Sequence, residues 1–325
     1  MDQVTFPGCP TPTAPLGVGT WAWGDQRTWG VGTYDTSTTE STIGDAFRAS
    51  IDAGVTLFDT AEVYGKGESE RILGRLLAAD PAVRDGLVVA TKFWPAPWKL
   101  NVRAALRASL VASLGRLGLE RVDLYQVHGP ISLRSASAMA DALAAVVREG
   151  LVAAVGVSNY SVAETTRIHG ELAARGVPLA SNQIEFSLLR RRPETTGLLA
   201  RCRELGVVPV AYSPIGQGRL TGKYSASNPP PGGRNFSAHP MEQVDHVVDV
   251  LREVGGAHDR TPSQVALRWI IEKGAVPIPG AKNAQQAADN AAALTFALEP
   301  AEVEALDRVA LTGTSSLANR FWQHG

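Results

Sequence analysis

The chain has 325 residues, 44% of them hydrophobic and 19% charged, with a formal net charge of −1. That balance gives no field to draw in nucleic acid or an anionic membrane surface, and no apolar run approaches the ~18 residues of a membrane span. The two cysteines, Cys9 and Cys202, lie far apart and outside any CxxC pattern, which argues against a disulfide framework or a zinc cluster and for a reducing compartment. The opening residues MDQVTFPGCP carry neither a basic start nor an apolar core, so no signal peptide is expected and the protein is expected to be cytoplasmic.

In chain order, short apolar runs alternate with longer stretches of helical pattern. After a short piece, Val4–Pro15, the first run is Leu16–Thr20, followed by the aromatic-rich stretch Trp21–Tyr34. A helical pattern over Thr38–Ala53 leads to the run Thr56–Thr60. The pattern Ser69–Ala79, with Ile72, Leu73, Leu76 and Leu77 on one stripe, leads to Leu87–Lys92. Asn101 is placed to cap a helix carrying Val102, Leu106, Leu110 and Leu114, ahead of the run Val122–His128. Helical patterns at Ser135–Glu149, Ser161–Arg175 and Glu194–Leu205 then alternate with the runs Ala153–Ser158, Leu179–Phe186 and Val207–Tyr212. The Gly-, Pro- and Ser-rich segment Gly216–Pro240 is too long and polar for an ordinary turn and reads as a mobile cover. A helix at Thr261–Glu272, the run Ala275–Pro279, a helix at Ala284–Ala292, a C-terminal helix over Leu294–Leu311 and a tail with Phe321 and Trp322 complete the chain. Gly54, Gly115, Gly150, Gly176, Gly206 and Gly274 are expected to close helices.

Several runs carry β-branched residues at consecutive positions without period-two alternation, as strands buried on both faces of a parallel sheet do. Eight such strands, each followed by a helix, fit an α/β chain folded as a closed (β/α)8 TIM barrel or as a long doubly wound sheet. Polar or glycine residues at the strand ends (Thr20, Asp59, Lys92, His128, Ser158 with Asn159, Gln183, Ser213 and Gly280) favour the barrel, where all those ends meet on one face. No GxGxxG follows the first run, so a Rossmann reading lacks its main motif. A barrel needs roughly 250 residues, and one domain over residues 1–325 is expected.

The chemistry concentrates at those ends. In Phe58-Asp59-Thr60-Ala61-Glu62-Val63-Tyr64-Gly65 a carboxylate ends a buried strand and a tyrosine follows in the loop. Lys92 ends an otherwise apolar strand, where an unpaired ammonium would be costly, and Asp59 on the adjacent strand is the expected counter-charge. His128 ends the fourth strand on the same face. A free tyrosine has a pKa of about 10. A neighbouring ammonium favours the phenolate, so Lys92 is expected to lower the Tyr64 pKa toward a value useful for proton exchange. The carboxylate holds the ammonium, and the histidine orients a carbonyl oxygen.

The segments FDTAEVYG, ATKF, QVHG, GVSN, NQIEFS, AYSPIGQG and IPGAKNAQQAADN occur in the order and spacing of the aldo-keto reductase superfamily, which the chain resembles over nearly its whole length. The resemblance implies a TIM barrel with an N-terminal barrel-bottom hairpin at Val4–Pro15 and an extra C-terminal helix. It implies NADPH-dependent carbonyl reduction, with Tyr64 as general acid and Asp59, Lys92 and His128 completing a catalytic tetrad. It further implies that Ser158, Asn159 and Gln183 bind the nicotinamide carboxamide, that Tyr212 stacks on the ring, and that Thr20 and Trp21 also meet the cofactor. Ser213, Pro214, Ile215, Gly216 and Gly218 would wrap the pyrophosphate, with Arg219, Lys223 and Arg234 adding charge. Gly280 and Lys282 would lie by the adenosine 2′-phosphate, and Gln286, Asp289 and Asn290 on the adenine side. Lys282 stands where many relatives carry Arg or Ser.

Trp21, Trp23, Trp29, Tyr34, Tyr64, Trp94 and Trp98 fall near the first three strand-to-helix loops, an aromatic wall suited to a flat or apolar carbonyl compound, with Trp23 and Trp94 as its expected substrate contacts. No arginine stands at a strand end to clamp a carboxylate, which disfavours keto acids. The six histidines form no HxH or HExxH pattern, so no metal is expected. Two other functions share these features: a cofactor-binding regulatory subunit of the same fold, and a Schiff-base aldolase using Lys92. The aldolase leaves Tyr64 and Tyr212 without a role. The expected partner is a small-molecule carbonyl substrate; oligomeric state is not legible in these residues.

Overall fold

The computed structural model describes residues 3–24, 38–230, 236, 238–313, 321 and 323–325. Eight strands form one sheet in sequence order: β1 Gly17–Gly19, β2 Leu57–Asp59, β3 Val88–Phe93, β4 Val122–Val127, β5 Val152–Ser158, β6 Leu179–Glu185, β7 Val208–Tyr212 and β8 Val276–Pro277. All neighbouring pairs run parallel. A parallel bridge between Gly19 and Gly280 brings the last strand round to the first, with Gly19 N–H donating to the Pro279 carbonyl at 3.0 Å. A Cβ on Gly19 would lie 2.8 Å from the Ile278 carbonyl oxygen, so the seam closes only because that residue is glycine. The result is the (β/α)8 barrel expected from the sequence.

Every residue of β3, β4 and β6 is buried, which is why those segments read as unbroken apolar runs. Alternation still operates within them. Leu57, Val88, Ala90, Leu124, Ala154, Val210, Val276 and Ile278 point inward and pack together. Phe58, Val89, Phe93, Tyr125, Val127, Val155 and Val157 point outward against the helices. The N-terminal piece pairs Val4 with Thr13 antiparallel and sends Phe6 and Cys9 into the inner cluster, so a short hairpin plugs the bottom of the barrel.

The helices begin where short polar side chains cap them. Thr39, Asn101, Ser135, Ser161, Thr261 and Asn283 each accept a first-turn N–H. Four expectations need correction. The helix Met241–His258 was not foreseen, although Val244, Val247, Val248, Leu251 and Val254 form its buried stripe; the Gly/Pro-rich segment before it masked the start of the pattern. The helix from Val102 ends at Gly118, which is left-handed (φ +67), whereas Gly115 lies inside it. Glu194–Leu205 divides into Arg192–Thr195 and Leu198–Leu205 at Gly197, φ +80. The last helix is Pro300–Val309, preceded by a separate turn at Ala292–Leu294, because Pro300 lacks the N–H a helix interior needs and suits a first turn instead. Among the described residues no helix is long and apolar enough to cross a membrane.

Candidate active site

The inward parity of the strands carries Asp59 from β2, Lys92 from β3, Gln126 and the following His128 from β4, Ser158 from β5, Gln183 from β6 and Tyr212 from β7 to one end of the barrel. Tyr64 comes from a single 3₁₀ turn, Tyr64–Gly67, directly after β2. That turn packs tightly on the short helix Trp21–Gly24: a Cβ on left-handed Gly65 would lie 2.2 Å from the Gly24 carbonyl oxygen. Glycine at that position therefore fixes where the Tyr64 ring enters the mouth.

Lys92 is fully buried. Its ammonium donates to Asp59 Oδ2, to the Thr60 carbonyl at 2.8 Å and to the Tyr64 hydroxyl at 3.2 Å. The other Asp59 oxygen accepts from Gln126 Nε2 at 3.1 Å and Gln183 Nε2 at 2.9 Å. Burial works against the Lys92 charge, but Asp59 and Tyr64 outweigh it and hold the lysine pKa above its usual value. His128 packs edge-on between the rings of Tyr64 (5.7 Å) and Trp94 (5.6 Å). Burial, reinforced by the Lys92 charge, holds it well below the ordinary histidine pKa, so the imidazole is neutral. Its buried Nδ1 has no partner among the described residues.

Tyr64 departs from expectation in one respect. Lys92 does favour its phenolate, but burial, aided by Asp59, acts more strongly, and the phenol sits above its usual pKa rather than below it. The arrangement therefore keeps Tyr64 protonated and places an ammonium where negative charge would develop on proton loss.

Two further expected contacts are placed differently. Trp23 is 5% exposed, packs on Phe58 and donates its indole N–H to the Ala281 carbonyl at 2.7 Å, so it braces the loop after β8. Thr20 is fully buried, its hydroxyl donating to the Asp59 carbonyl at 3.0 Å and lying 2.7 Å from Ser69 Oγ; it supports the end of β2. Trp94 does stand beside His128, its backbone N–H donating to Glu62 Oε1 at 2.6 Å. Trp98 is largely exposed. Trp29, Tyr34, Arg234 and Trp322 lie outside the described residues.

Along the other rim, Ser158 Oγ donates to the Gln183 carbonyl (2.8 Å), Asn159 Nδ2 to Ser158 Oγ (3.2 Å) and the Tyr212 hydroxyl to Asn159 Oδ1 (2.9 Å). After β7, Ser213, Gly216, Gln217 and Gly218 all have positive φ, and Pro214 is buried while Ile215 accepts the Gly218 and Leu220 N–H groups at its carbonyl. Phe236, from the long segment, meets Tyr212 at 5.6 Å and Trp21 at 6.1 Å; residues 231–235 and 237 of the expected cover lie outside the described residues. Arg219 is buried, its guanidinium donating to the Gly216 and Phe236 carbonyls, so it staples the segment; Lys223 is exposed. Beyond β8, half-buried Lys282 precedes the helix Ala284–Ala291. Gln286 accepts the Lys282 N–H at 3.0 Å, Asn290 donates to the Gly280 carbonyl at 3.2 Å, and Asp289 accepts from Gln285. No group of three His, Cys, Asp or Glu among the described residues could hold a metal ion.

Sequence reasoning missed Gln126 and Ser181, which share the Asp59 network; Gln126 lies two positions before His128, so strand parity alone could have found it. It also missed Gln323, whose amide joins the Tyr212 hydroxyl to Glu185 of β6.

The family model described as "Aldo/keto reductase family" matches residues 15–311. The chain is 37% identical to the chloroplastic pyridoxal reductase of Arabidopsis thaliana, covering 97% of this chain and 88% of that protein. In structure it is similar to the glycerol dehydrogenase of Gluconobacter oxydans, with a TM-score of 0.80, 28% identity and coverage of 97% and 98% of the two chains. An aldo/keto reductase of Klebsiella pneumoniae, solved with NADP and acetate, is also similar, with a TM-score of 0.75, 26% identity and coverage of 97% and 96%. The chain belongs to the aldo/keto reductase family and is an NAD(P)H-dependent oxidoreductase.

Proposed function

From that membership we propose that the protein reduces the carbonyl group of a flat aldehyde or ketone with NADPH, using Tyr64 as the proton donor. The observation that carries the reading is the Asp59–Lys92–Tyr64 hydrogen-bonded set beside a neutral His128. The residues present fit a nicotinamide dinucleotide. The hydroxyl and amides of Ser158, Asn159 and Gln183 match a carboxamide, and the Tyr212 ring offers a stacking face. The positive-φ residues Ser213, Gly216, Gln217 and Gly218 permit close approach to a pyrophosphate. Trp21 and Lys223 would add contacts at its edges. When bound, the cofactor supplies the hydride.

The chain's own groups supply the rest. His128 donates a hydrogen bond that orients the substrate carbonyl oxygen toward Tyr64. Tyr64 gives that oxygen its proton as negative charge develops. Lys92 stabilises the phenolate left behind, and Asp59 with Thr60 fixes Lys92 in place. Trp94 forms a wall against which a planar substrate lies. The relative's name, pyridoxal reductase, points to the same class, an aromatic aldehyde. Loss of reduced-cofactor absorbance with a panel of aldehydes tests the reading; a folded protein inert toward every member would count against it.

Cofactor choice is assigned to Lys282. Lys282 precedes the N-terminus of the helix Ala284–Ala291, where a 2′-phosphate would be favoured by both charge and dipole. Gln286 and Asn290 hold that loop, with Asp289 on the adenine side. Lys282→Ala is expected to weaken NADPH by about ten- to a hundred-fold, the worth of a charge-assisted hydrogen bond, with NADH little changed and the rate at saturating cofactor preserved. Titration of both cofactors by fluorescence measures this. Equal losses for the two would move phosphate recognition to Lys223 or Arg234.

A further inference from the structure

The last residues described reach the barrel mouth. Gln323 is 5% exposed, and its amide nitrogen donates to Glu185 Oε2 at 2.7 Å and to the Tyr212 hydroxyl at 2.8 Å. Glu185 is an acceptor when ionised, which fixes the end of the amide that faces it. Having accepted that bond, the Tyr212 hydroxyl donates its own proton to Asn159 Oδ1. His324 completes the clasp: its backbone N–H donates to the Asn159 carbonyl at 3.0 Å, and its ring Nδ1 lies 2.9 Å from Glu164 Oε1. Asn159 is left-handed (φ +63), a conformation asparagine tolerates better than most other non-glycine residues, and these contacts fix it. From Asn159 the hydrogen bonds continue through Ser158 and Gln183 to Asp59. Residues 323 and 324 are thereby joined to the tetrad by a continuous hydrogen-bonded path, buried from Asn159 inward.

We propose that Gln323 is a positioning residue for the nicotinamide end of the cofactor site, acting through Tyr212 and Asn159. This rests on the reading that those two residues meet the cofactor. Tyr212 is joined to the protein at its hydroxyl as well as its backbone, and a ring pinned at both ends presents one fixed face. Burial and the nearby Glu185 hold its phenol well above the ordinary tyrosine pKa, so it remains a donor to Asn159 across the physiological range. Removing the Gln323 amide takes one donor from the Tyr212 hydroxyl and one from Glu185, which keeps its ion pair with Arg190, and leaves the ring held at its hydroxyl by Asn159 alone.

The test uses Gln323→Leu, which keeps bulk and removes the donor, in wild-type and Tyr212→Phe backgrounds. NADPH affinity is measured by calorimetry, and thermal unfolding of the cofactor-free proteins confirms that each is folded. Gln323→Leu is expected to weaken NADPH about ten-fold in the wild-type background, the worth of one lost hydrogen bond to the group that positions the ring. In the Tyr212→Phe background the same change should cost less than about two-fold, because the hydroxyl it acts through is gone. Wild-type affinity in Gln323→Leu, or equal losses in both backgrounds, would overturn the proposal. Tyr212→Ala separates the two levels. If Tyr212→Ala weakens NADPH and Gln323→Leu does not, only the role of Gln323 fails; if Tyr212→Ala has no effect on NADPH, the underlying cofactor reading fails as well.

Discussion

Tyr64→Phe is expected to lower kcat for carbonyl reduction by about 10²–10⁴-fold, the usual worth of a positioned general acid, while NADPH binds as it does to the wild type. The phenyl ring fills the same space at the edge of His128, so the mouth keeps its shape and only the proton is lost. Lys92 retains Asp59 and the Thr60 carbonyl as partners, so the fold should keep its stability to within about 1 kcal/mol. Stopped-flow rates and cofactor titration on the same preparation separate the two effects. An unchanged turnover number with a good aldehyde would remove Tyr64 from the role of acid.

Lys92→Met is expected to be at least as damaging, by about 10²–10⁴-fold in kcat, and to leave a different signature. It strips the partner from a buried carboxylate, which typically costs about 3–5 kcal/mol of stability, so unfolding by denaturant has to accompany the kinetics. The pH dependence gives the sign. In the wild type, burial holds Tyr64 above its ordinary pKa and Lys92 pulls partly against that. Reduction, which needs the protonated phenol, should therefore be insensitive to Tyr64 ionisation up to about pH 10. The reverse reaction needs the phenolate and should accelerate as pH rises through the Tyr64 pKa. Without Lys92 that pKa rises further, and the alkaline limb of alcohol oxidation should move to higher pH. A folded variant with wild-type rates and an unmoved limb would be incompatible with an ammonium acting on Tyr64.

Much of this architecture could be read from the residues. The eight runs became β1–β8 because strands buried on both sides have no polar face to break the pattern, and Lys92 stood out because nothing else in its run is charged. The counter-charge at Asp59 followed from the cost of burying that ammonium. Competition between opposing effects was not legible. Lys92 and burial push the Tyr64 pKa in opposite directions, and only the enclosed geometry decides that burial wins. Trp23 has the composition of a mouth residue, but its indole N–H finds the Ala281 carbonyl across 258 positions of sequence. The same distance effect hid Gln323, 111 positions from Tyr212: no local period marks a residue whose partners are set by the path of the whole chain. The helix Met241–His258 was within reach, since its valines repeat at helical spacing.

The most direct test follows a deuterium from cofactor to product. NADPH labelled at one of the two C4 positions is incubated with the protein and an aromatic aldehyde, and the alcohol is examined by NMR. One deuterium on the carbinol carbon per NADPH consumed is expected, from one labelled form and not the other, because on the proposed reading the Tyr212 ring would cover a single face of the nicotinamide. NADPH that binds tightly but transfers no deuterium to any carbonyl compound would contradict carbonyl reduction and favour a cofactor-binding subunit instead.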